Sequence, residues 1–447
     1  MNQLYRNIVW GQRSNYFEVP TDCPQRDERL GWTGDAQAFI RTAAYNMDIA
    51  AFFTKWLQDL EDGQFENGAF PRVAPQVAPG IAAGWGDAGI IGPWTIYRVY
   101  GDTRVIEKHY AAMARWIEFL KQRSPGYLSP PLGNEGDWLN VNADTPKDLI
   151  ATAYFGEDTR LMAEMAEAIG KDEDAAQYRE LFEHIRTAFT ARYVALDGKI
   201  AGDTQTAYLM ALDFDLLPAE RRPAAAQHLI ANLQERDWLL STGFLGAHLL
   251  LPTLTDLGRT DVAYRLLTET RYPSWGYEIT QGATTTWERW DSYTQERGFQ
   301  SPLMNSFNHY AFGAVGEWMF STLAGIDTEG PGFKRILIHP RPGGGLSWAR
   351  AGYDSIRGPI ATSWSLEGDD LRLELSIPAN TVATVYVPAG KLTDVSESGR
   401  PAEQSPGVRF LRLESGSAVL EVGSGTYAFI SKNGKLAVEA AAIDPAP

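Results

Sequence analysis

The chain contains almost no cysteine, since Cys23 is the only one among its 447 residues. One thiol excludes an internal disulfide, and Cys23 lies in Asp-Cys-Pro with no histidine near it in the sequence. We therefore interpret it as a small packed residue rather than a nucleophile. The six histidines are scattered singly, without the spacing of metal ligands, and no glycine-rich phosphate loop precedes a helix. We expect neither a metal nor a cofactor.

Long apolar runs and an excess of positive charge are also missing. No stretch approaches the roughly 18 apolar residues of a membrane span, and the first ten residues contain no apolar run of signal-peptide length. We therefore expect no membrane partner and a cytoplasmic location. Lys and Arg number 40 against 56 Asp and Glu, a net charge of −16, which argues against nucleic acid and anionic membrane surfaces as partners.

What the chain does contain is a loop, residues 21–35, that is dense in charge. Pro24, Gly31 and Gly34 interrupt regular structure there. The loop carries four carboxylates, two guanidiniums and one indole: Asp22, Asp27, Glu28, Asp35, Arg26, Arg29 and Trp32. Carboxylates beside an aromatic suit a sugar, because acids bind hydroxyls or move protons while an indole stacks on the C–H face of the ring. A solvated loop held by salt bridges is the alternative.

A second cluster lies far downstream, where Glu288 stands between Trp287 and Trp290. Core packing is the competing explanation for the two indoles, and we expect one of them to belong to the core. The glutamate is harder to explain in that way, because an acid is seldom buried without a partner or a task. The two clusters together favour a sugar site over a solvated loop.

Helical hairpins alternate along the chain with long loops rich in Gly, Pro and Trp. Apolar residues recur at helical spacing from Ala36 to Asp62, and Asp35 is placed to cap that helix. Further helix pairs are predicted at 88–123, 148–193, 203–234 and 243–269, and a final helix at 309–324. This rhythm predicts a mainly α fold, an (α/α)6 barrel of the six-hairpin glycosidase type. A helical solenoid is the competing architecture, but solenoids show a fixed period and short loops.

Near Gly330 the helical period gives way to alternation of apolar and polar residues. The alternating stretches are 360–366, 371–377, 381–387, 408–413, 418–422 and 425–430. They predict a small antiparallel β-sandwich. We therefore expect a catalytic barrel over residues 1–329, the sandwich over 330–435 and a disordered tail over 436–447.

Three stretches, 21–37, 145–155 and 282–292, resemble a known family. They contain Asp-Cys-Pro-Gln-Arg-Asp-Glu-Arg, Thr-Pro-Lys-Asp-Leu-Ile-Ala-Thr and Thr-Trp-Glu-Arg-Trp-Asp-Ser. The chain resembles the bacterial α-L-rhamnosidases, glycoside hydrolase family 78, over about residues 5–430. The resemblance implies an (α/α)6 catalytic barrel followed by a β-sandwich. It also implies hydrolysis of terminal non-reducing α-L-rhamnose from rhamnose-containing glycosides, with inversion at the anomeric carbon.

The resemblance also implies roles for single residues. The general acid falls on Glu28 and the general base on Glu288. The residues implied to bind the sugar are Asp22, Arg26, Trp32, Asp35, Trp85, Trp138 and His309. Indoles suit rhamnose because the methyl group of this 6-deoxy sugar needs an apolar wall. The neighbouring Asp27, Asp87 and Asp137 are given structural or supporting roles only.

Members of this family usually carry β-rich domains before the barrel, whereas the catalytic loop begins here near residue 22. We therefore expect those domains to be absent and a homodimer to cover the surface they would shield.

Two functions stay open beside the rhamnosidase. One is a helical-barrel glycosidase or lyase that acts on another sugar, and the other is a catalytically weak sugar-binding protein. A lyase for uronic acids would favour a basic cleft, and this chain is acidic. A silent binding protein would have lost one acid of the pair, and both Glu28 and Glu288 are present.

Overall fold

The computed structural model describes residues 1–441, and helices dominate it as far as Leu323. The helices are Asn2–Asn15, Thr33–Asn46, Ala50–Asp62, Ala88–Tyr100, Arg104–Arg123, Lys147–Ala168, Asp172–Tyr193, Gln205–Asp213, Arg222–Glu235, Phe244–Asp256, Thr260–Thr268 and Trp275–Thr280. The last predicted helix, 309–324, is three short pieces: a 3-10 segment Ala311–Val315, an α turn Gly316–Trp318 and a π turn Met319–Leu323.

Successive helices alternate between nearly complete burial and burial of one face. Thr33–Asn46 buries 12 of its 14 residues, whereas Ala50–Asp62 buries 4 of 13. Lys147–Ala168 buries 16 of 22, whereas Asp172–Tyr193 buries 5 of 22. A helix apolar on all sides belongs to an inner layer, and an amphipathic helix to an outer one. This alternation is that of an (α/α)6 barrel, so the predicted architecture is confirmed.

The first and last inner elements meet. Thr42, on Thr33–Asn46, donates its hydroxyl hydrogen to the carbonyl oxygen of Ala314 at 2.7 Å. The Phe39 ring packs against the Tyr310 ring with centroids 5.2 Å apart. Thr42 and Ala314 are 272 residues apart in sequence, so these contacts bring the loops that precede the two segments to one place.

The helix predicted over 36–62 is in fact two helices, because the backbone of Met47 is extended, with φ −150° and ψ 155°. Asp48 accepts a hydrogen bond from the Ala50 backbone N–H at 3.1 Å, which stabilises the turn between the two helices. The capping role predicted for Asp35 is wrong. The first helix begins at Thr33, whose N–H donates instead to the Arg72 carbonyl oxygen at 3.0 Å, and Asp35 lies within the first turn.

Two β-sheets follow the helices. The six-stranded sheet has the order Arg400–Pro401, Val395–Glu397, Gly425–Ser431, Asp370–Ile377, Gly358–Glu367 and Trp348–Ser355. The five-stranded sheet has the order Val408–Glu414, Ser417–Val422, Val382–Pro388, Arg335–Ile338 and Ile326–Thr328. Both bury alternate apolar side chains, as the sequence pattern predicted. One pair departs from the antiparallel prediction, because Arg335–Ile338 runs parallel to Val382–Pro388.

By compactness the chain divides into two units. The first holds Met1–Ile96, Thr103–Thr253 and Leu266–Val315, and the second holds Tyr97–Asp102, Leu254–Arg265 and the chain from Gly316 onward. Strand Ile326–Thr328 pairs with Arg335–Ile338, which ties the residues before 330 to the sheet. The sequence-based limits of 1–329 and 330–435 stay a prediction.

The tail predicted to be disordered, 436–447, is helical in part, because residues 436–441 belong to the helix Gly434–Ala441. The rest of that prediction, 442–447, lies outside the described residues. Within residues 1–441, no helix has both the length and the apolar character needed to cross a bilayer.

One buried acid fixes the loop 134–146 to the start of a helix. Asp137 accepts hydrogen bonds from the backbone N–H groups of Gly243, Leu245 and Gly246 at 2.8, 2.9 and 3.1 Å, and one from the Thr206 hydroxyl. It thereby satisfies the first N–H groups of Phe244–Asp256, which a helix leaves unpaired. The structural role predicted for Asp137 matches this arrangement.

We expect Gly243→Ala to lower the thermal unfolding midpoint by about 1–3 °C, because overpacking costs about 1–3 kcal/mol. A Cβ at position 243 would meet the carbonyl oxygen of Trp138 at 2.2 Å and that of Asp137 at 2.5 Å. The matched control is Gly390→Ala, where a Cβ meets nothing within 4 Å. Equal midpoints for the two variants, measured by circular dichroism, would contradict this packing.

Candidate active site

Two loops far apart in sequence meet at the site. The loop before Thr33 contacts the segment 282–309, since Ser306 donates its hydroxyl hydrogen to the Gln25 side-chain oxygen at 2.9 Å. The Tyr310 hydroxyl donates to the Pro20 carbonyl oxygen at 3.0 Å, and the Glu288 N–H donates to the Ser306 carbonyl oxygen at 2.9 Å. These bonds hold Glu288 close to the charged loop.

Arg26 joins the two glutamates. Its Nη2 lies 2.5 Å from Glu28 Oε2 and 3.3 Å from Glu288 Oε1. Its other terminal nitrogen donates to the carbonyl oxygen of Leu303. Glu288 is almost fully buried, with 4% of its side chain exposed, so its charge needs this counterion. The sequence predicted desolvation of Glu288 between two indoles, and the structure adds Arg26 as its partner.

Trp32 and Cys23 contact the same carboxylates. The Trp32 Nε1–H donates to Glu28 Oε1 at 2.8 Å, which fixes the orientation of that carboxylate. The Cys23 sulfur lies 3.7 Å from Glu288 Oε2 and 3.4 Å from Arg26 Nη2. Burial raises the pKa of the Cys23 thiol, and the nearby carboxylates raise it further, so it stays protonated and unreactive.

A buried ion pair forms the floor of the site. His309 Nε2 lies 3.0 Å from Asp35 Oδ1, and both side chains are at most 5% exposed. Burial lowers the pKa of His309, but the hydrogen bond to Asp35 and the Asp35 charge outweigh this effect, so the net pKa is raised. The Ala311 N–H donates to His309 Nδ1 at 3.3 Å, which directs the proton on Nε2 towards Asp35.

Asp22 lies beside these groups and titrates in an unusual range. It accepts the Leu30 N–H at 2.8 Å. Burial raises the pKa of Asp22 to about 7, and the charge of Glu28 contributes in the same direction. A carboxyl that can exist in either form near neutral pH is able to donate to a hydroxyl or accept from one.

These residues surround one cavity of about 370 Å³. Its lining residues are Asp22, Glu28, Trp32, Asp35, Arg72, Trp85, Asn134, Glu135, Trp138, Phe244, Glu288, Met304 and His309. The lining residues differ in burial: Asp22, Asp35, Trp85, Phe244, Glu288 and His309 are buried, whereas Asn134 is exposed. Glu28 lies between these extremes, with 23% of its side chain exposed.

Eight of the nine residues predicted for the site therefore line one cavity. The ninth, Arg26, is absent from the lining and instead contacts both glutamates from the side. Trp287 and Trp290 are both buried and do not line the cavity, so core packing accounts for both indoles. The roles predicted for the individual residues stay predictions.

Sequence reasoning missed five lining residues: Arg72, Asn134, Glu135, Phe244 and Met304. Arg72 carried a weak signal, because it is a single charge inside the apolar stretch Phe70–Ala74. Met304 lies five residues before His309, in the stretch Met-Asn-Ser-Phe-Asn-His. No sequence pattern distinguishes Phe244 from an ordinary core residue.

The loop that presents Trp85 is held by buried acids. Asp87 accepts the Gly84 N–H at 2.6 Å, and Asp158 accepts the Trp116 indole N–H at 2.6 Å. Burial raises the pKa of Asp87 to about 6, and burial together with the charge of Asp87 raises the pKa of Asp158. The supporting role predicted for Asp87 fits this network.

The charged loop splits into two parts. Asp27 and Arg29 form a salt bridge of 3.1 Å at the surface, where the Asp27 side chain is fully exposed. This pair fits the alternative of a solvated loop held by salt bridges. Asp22, Arg26 and Glu28 face inward and do not fit it.

Two overlapping groups of side chains have the spacing of cation ligands, Cys23 with Glu288 and His309, and Asp22 with Cys23 and Glu28. The chemistry of these donors fits a cation poorly. Cys23 is held as a thiol, which is a weak ligand, and Arg26 already supplies the positive charge to both glutamates. We assign no metal to them.

Comparison with known proteins shows the same two-part organisation. Residues 1–323 match the family described as the bacterial alpha-L-rhamnosidase 6 hairpin glycosidase domain, and residues 325–401 match the bacterial alpha-L-rhamnosidase C-terminal domain. An alpha-L-rhamnosidase of Streptomyces avermitilis is 51% identical over 432 residues, which are 96% of this chain and 41% of that protein. One from Formosa agariphila is 40% identical over 97% of this chain and 48% of its own.

Solved structures agree. The Streptomyces avermitilis alpha-L-rhamnosidase complexed with L-rhamnose superposes with a TM-score of 0.93 at 50% identity, covering 96% of this chain and 41% of that one. The alpha-L-rhamnosidase from Dictyoglumus thermophilum gives 0.88 at 34% identity, covering 96% and 49%. The chain spans less than half the length of these relatives.

We expect Asp22→Asn to change how stability depends on pH. Because the pKa of Asp22 is raised from 3.8 to about 7, the folded state binds an extra proton between these values. This group's contribution to stability therefore falls as pH rises through that window. The midpoint of the variant minus the midpoint of the unsubstituted protein should therefore increase from pH 5 to pH 8. A difference that is constant over this range would contradict the raised pKa.

Proposed function

We propose an activity from one established premise: the chain belongs to the bacterial alpha-L-rhamnosidase family of six-hairpin glycosidases. The proposed activity is hydrolysis of terminal non-reducing α-L-rhamnose from rhamnosides, with inversion of the anomeric carbon. The observation that carries it is a cavity lined by two glutamates of different exposure, Glu28 and Glu288, which both contact Arg26. We call the part of the cavity lined by its buried residues the closed end.

The difference in exposure supports different roles for the two glutamates. Glu28 lies towards the open end, where a leaving group must depart, so it is the general acid that protonates the glycosidic oxygen. Glu288 lies in the buried part, where its carboxylate can act as a general base on one water molecule. Trp32 holds Glu28 in place through its indole N–H.

The closed end suits a single deoxy sugar. Asp22, Asp35 and His309 supply donors and acceptors for hydroxyl groups, while Trp85 and Phe244 supply an apolar wall for a methyl group. The Trp85 Nε1–H is buried and has no acceptor among the described residues. A sugar oxygen would satisfy it, which supports a polar ligand at this end.

Acid catalysis by Glu28 requires Arg26 to move. Both carboxylate oxygens of Glu28 are already contacted, Oε1 by the Trp32 indole N–H at 2.8 Å and Oε2 by Arg26 Nη2 at 2.5 Å. Neither oxygen is therefore free to face the glycosidic oxygen, which a general acid must contact. We infer that substrate entry releases Arg26 from Glu28.

The other two functions are less well supported. A lyase or a glycosidase for acidic sugars needs positive charge at the closed end, where Asp22, Asp35 and Glu288 lie instead. A silent binding protein has no need for two glutamates joined by an arginine.

Self-association is a separate proposal. Trp10 and Phe17, near the start of the chain, are 51% and 63% exposed, and large exposed apolar side chains often mark an interface. We propose a homodimer that covers them, and we expect light scattering at micromolar concentration to give twice the chain mass. The double variant Trp10→Ser/Phe17→Ser should then be monomeric. A monomeric, fully active unsubstituted protein would contradict the dimer.

We expect proton NMR during hydrolysis of an aryl α-L-rhamnoside to show β-rhamnose first. Glu28→Gln and Glu288→Gln should each lower kcat by at least about 100-fold, because each removes one proton-transfer group. The control is Glu183→Gln, a carboxylate on the outer helix Asp172–Tyr193, which should keep full activity. If α-rhamnose appears first, inversion is wrong. If a panel of other aryl glycosides is cleaved while the rhamnoside is not, the substrate is wrong.

A further inference from the structure

We propose that Arg72, Asn134 and Glu135 form a leaving-group subsite that selects a hydroxyl-bearing leaving group, such as a second sugar, over an apolar one. This rests on the proposed function, because the position of the general acid Glu28 defines the leaving-group side.

The position of Glu28 sets the direction in which the leaving group extends. A general acid protonates the oxygen between the two parts of a glycoside, so the leaving group lies beyond Glu28 as seen from the closed end. Among the lining side chains, 4% of Glu288, 9% of Glu135, 23% of Glu28 and 31% of Arg72 is exposed, and Asn134 is exposed as well. The side of the cavity that reaches solvent therefore includes Arg72 and Asn134, and we call it the open end.

The open end carries charged and polar groups that contact one another. Arg72 Nη1 forms an ion pair with Glu135 Oε1, and the backbone N–H of Asn134 donates to Glu135 Oε2 at 2.8 Å. The Arg72 Nε–H is buried and without an acceptor in the described part of the chain. Fixed donors and acceptors placed side by side match hydroxyl groups, each of which donates and accepts. An apolar group would cover the remaining acceptor sites of the Glu135 carboxylate without pairing them, at a cost.

An aromatic leaving group would need a free aromatic face on which to stack, and Trp32 does not offer one on the side of Arg72. The Arg72 guanidinium carbon lies 5.4 Å from the centroid of the Trp32 ring and covers one of its faces. The Arg72 backbone is held in place as well, since its N–H donates to the Gly80 carbonyl oxygen at 3.1 Å. Stacking of a flat aglycone on this indole face is therefore blocked.

A different role for Arg72 would be to position Trp32, and through it Glu28, without touching the leaving group. The two roles differ in their effect on substrates. A defect in the general acid slows every poor leaving group alike. A defect in the subsite slows only a leaving group whose hydroxyls it binds.

The test compares two rhamnosides whose leaving groups are both primary alcohols attached to a six-membered ring: α-L-rhamnopyranosyl-(1→6)-D-glucose and cyclohexylmethyl α-L-rhamnopyranoside. We expect Glu135→Gln and Arg72→Ala each to lower the ratio of kcat/KM for the first to kcat/KM for the second by about tenfold. That is the size expected for one lost hydrogen bond to a charged group. The loss should appear mainly as a higher KM for the disaccharide.

The matched control is Arg186→Gln. Arg186 also forms an ion pair, with Glu183, and lies over an aromatic ring, that of Phe182, but on an outer helix. It should leave the ratio unchanged, and circular dichroism checks that every variant is folded. Equal losses on both substrates, or none, would overturn the subsite and leave the rhamnosidase assignment standing. If the unsubstituted protein cleaves neither substrate nor an aryl rhamnoside, the proposed function falls and the subsite with it.

Discussion

The site is organised around one guanidinium placed between two glutamates. Three carboxylates, Asp22, Glu28 and Glu288, lie close together in a part of the fold with little water, and such an arrangement is unfavourable without a counterion. Arg26 supplies that charge to two of them. The closure of the helical ring makes the contact feasible, because it brings the loop before Thr33 to the segment that carries Glu288. The ion pair is therefore a result of the fold, and it is the contact that the proposed reaction has to open.

The residues that line the cavity differ in how deeply they are buried. Its lining combines buried acids and buried apolar side chains with an exposed asparagine, and Glu28 is intermediate in exposure. A site with this gradient suits a terminal sugar, because only the end of a glycoside reaches the closed part. The supporting residues belong to the same scheme: Asp137 fixes Trp138 and Phe244 through the start of one helix, and Asp87 fixes the turn that carries Trp85.

The sequence predicted the barrel because the helical period, the long loops and the change to alternation near Gly330 are local signals. The density of acids and indoles indicated only the charged loop and Glu288. The other predicted lining residues were placed by the resemblance to the bacterial α-L-rhamnosidases. Sequence reasoning missed Arg72 and Glu135, since a pair 63 residues apart leaves no local pattern. It also placed Asp35 as a helix cap. The sequence does not show that the helix begins at Thr33, whose N–H donates to the Arg72 carbonyl oxygen. Asp35 instead pairs with His309.

The most direct test of this account is a crystal structure of the Glu28→Gln variant with a bound α-L-rhamnosyl disaccharide. The account predicts rhamnose at the closed end, in contact with Asp35 and His309, with the second sugar towards Asn134. It also predicts Arg26 to be separated from the side chain at position 28. The second sugar at the closed end, or an unchanged Arg26 bridge with rhamnose in place, would contradict it.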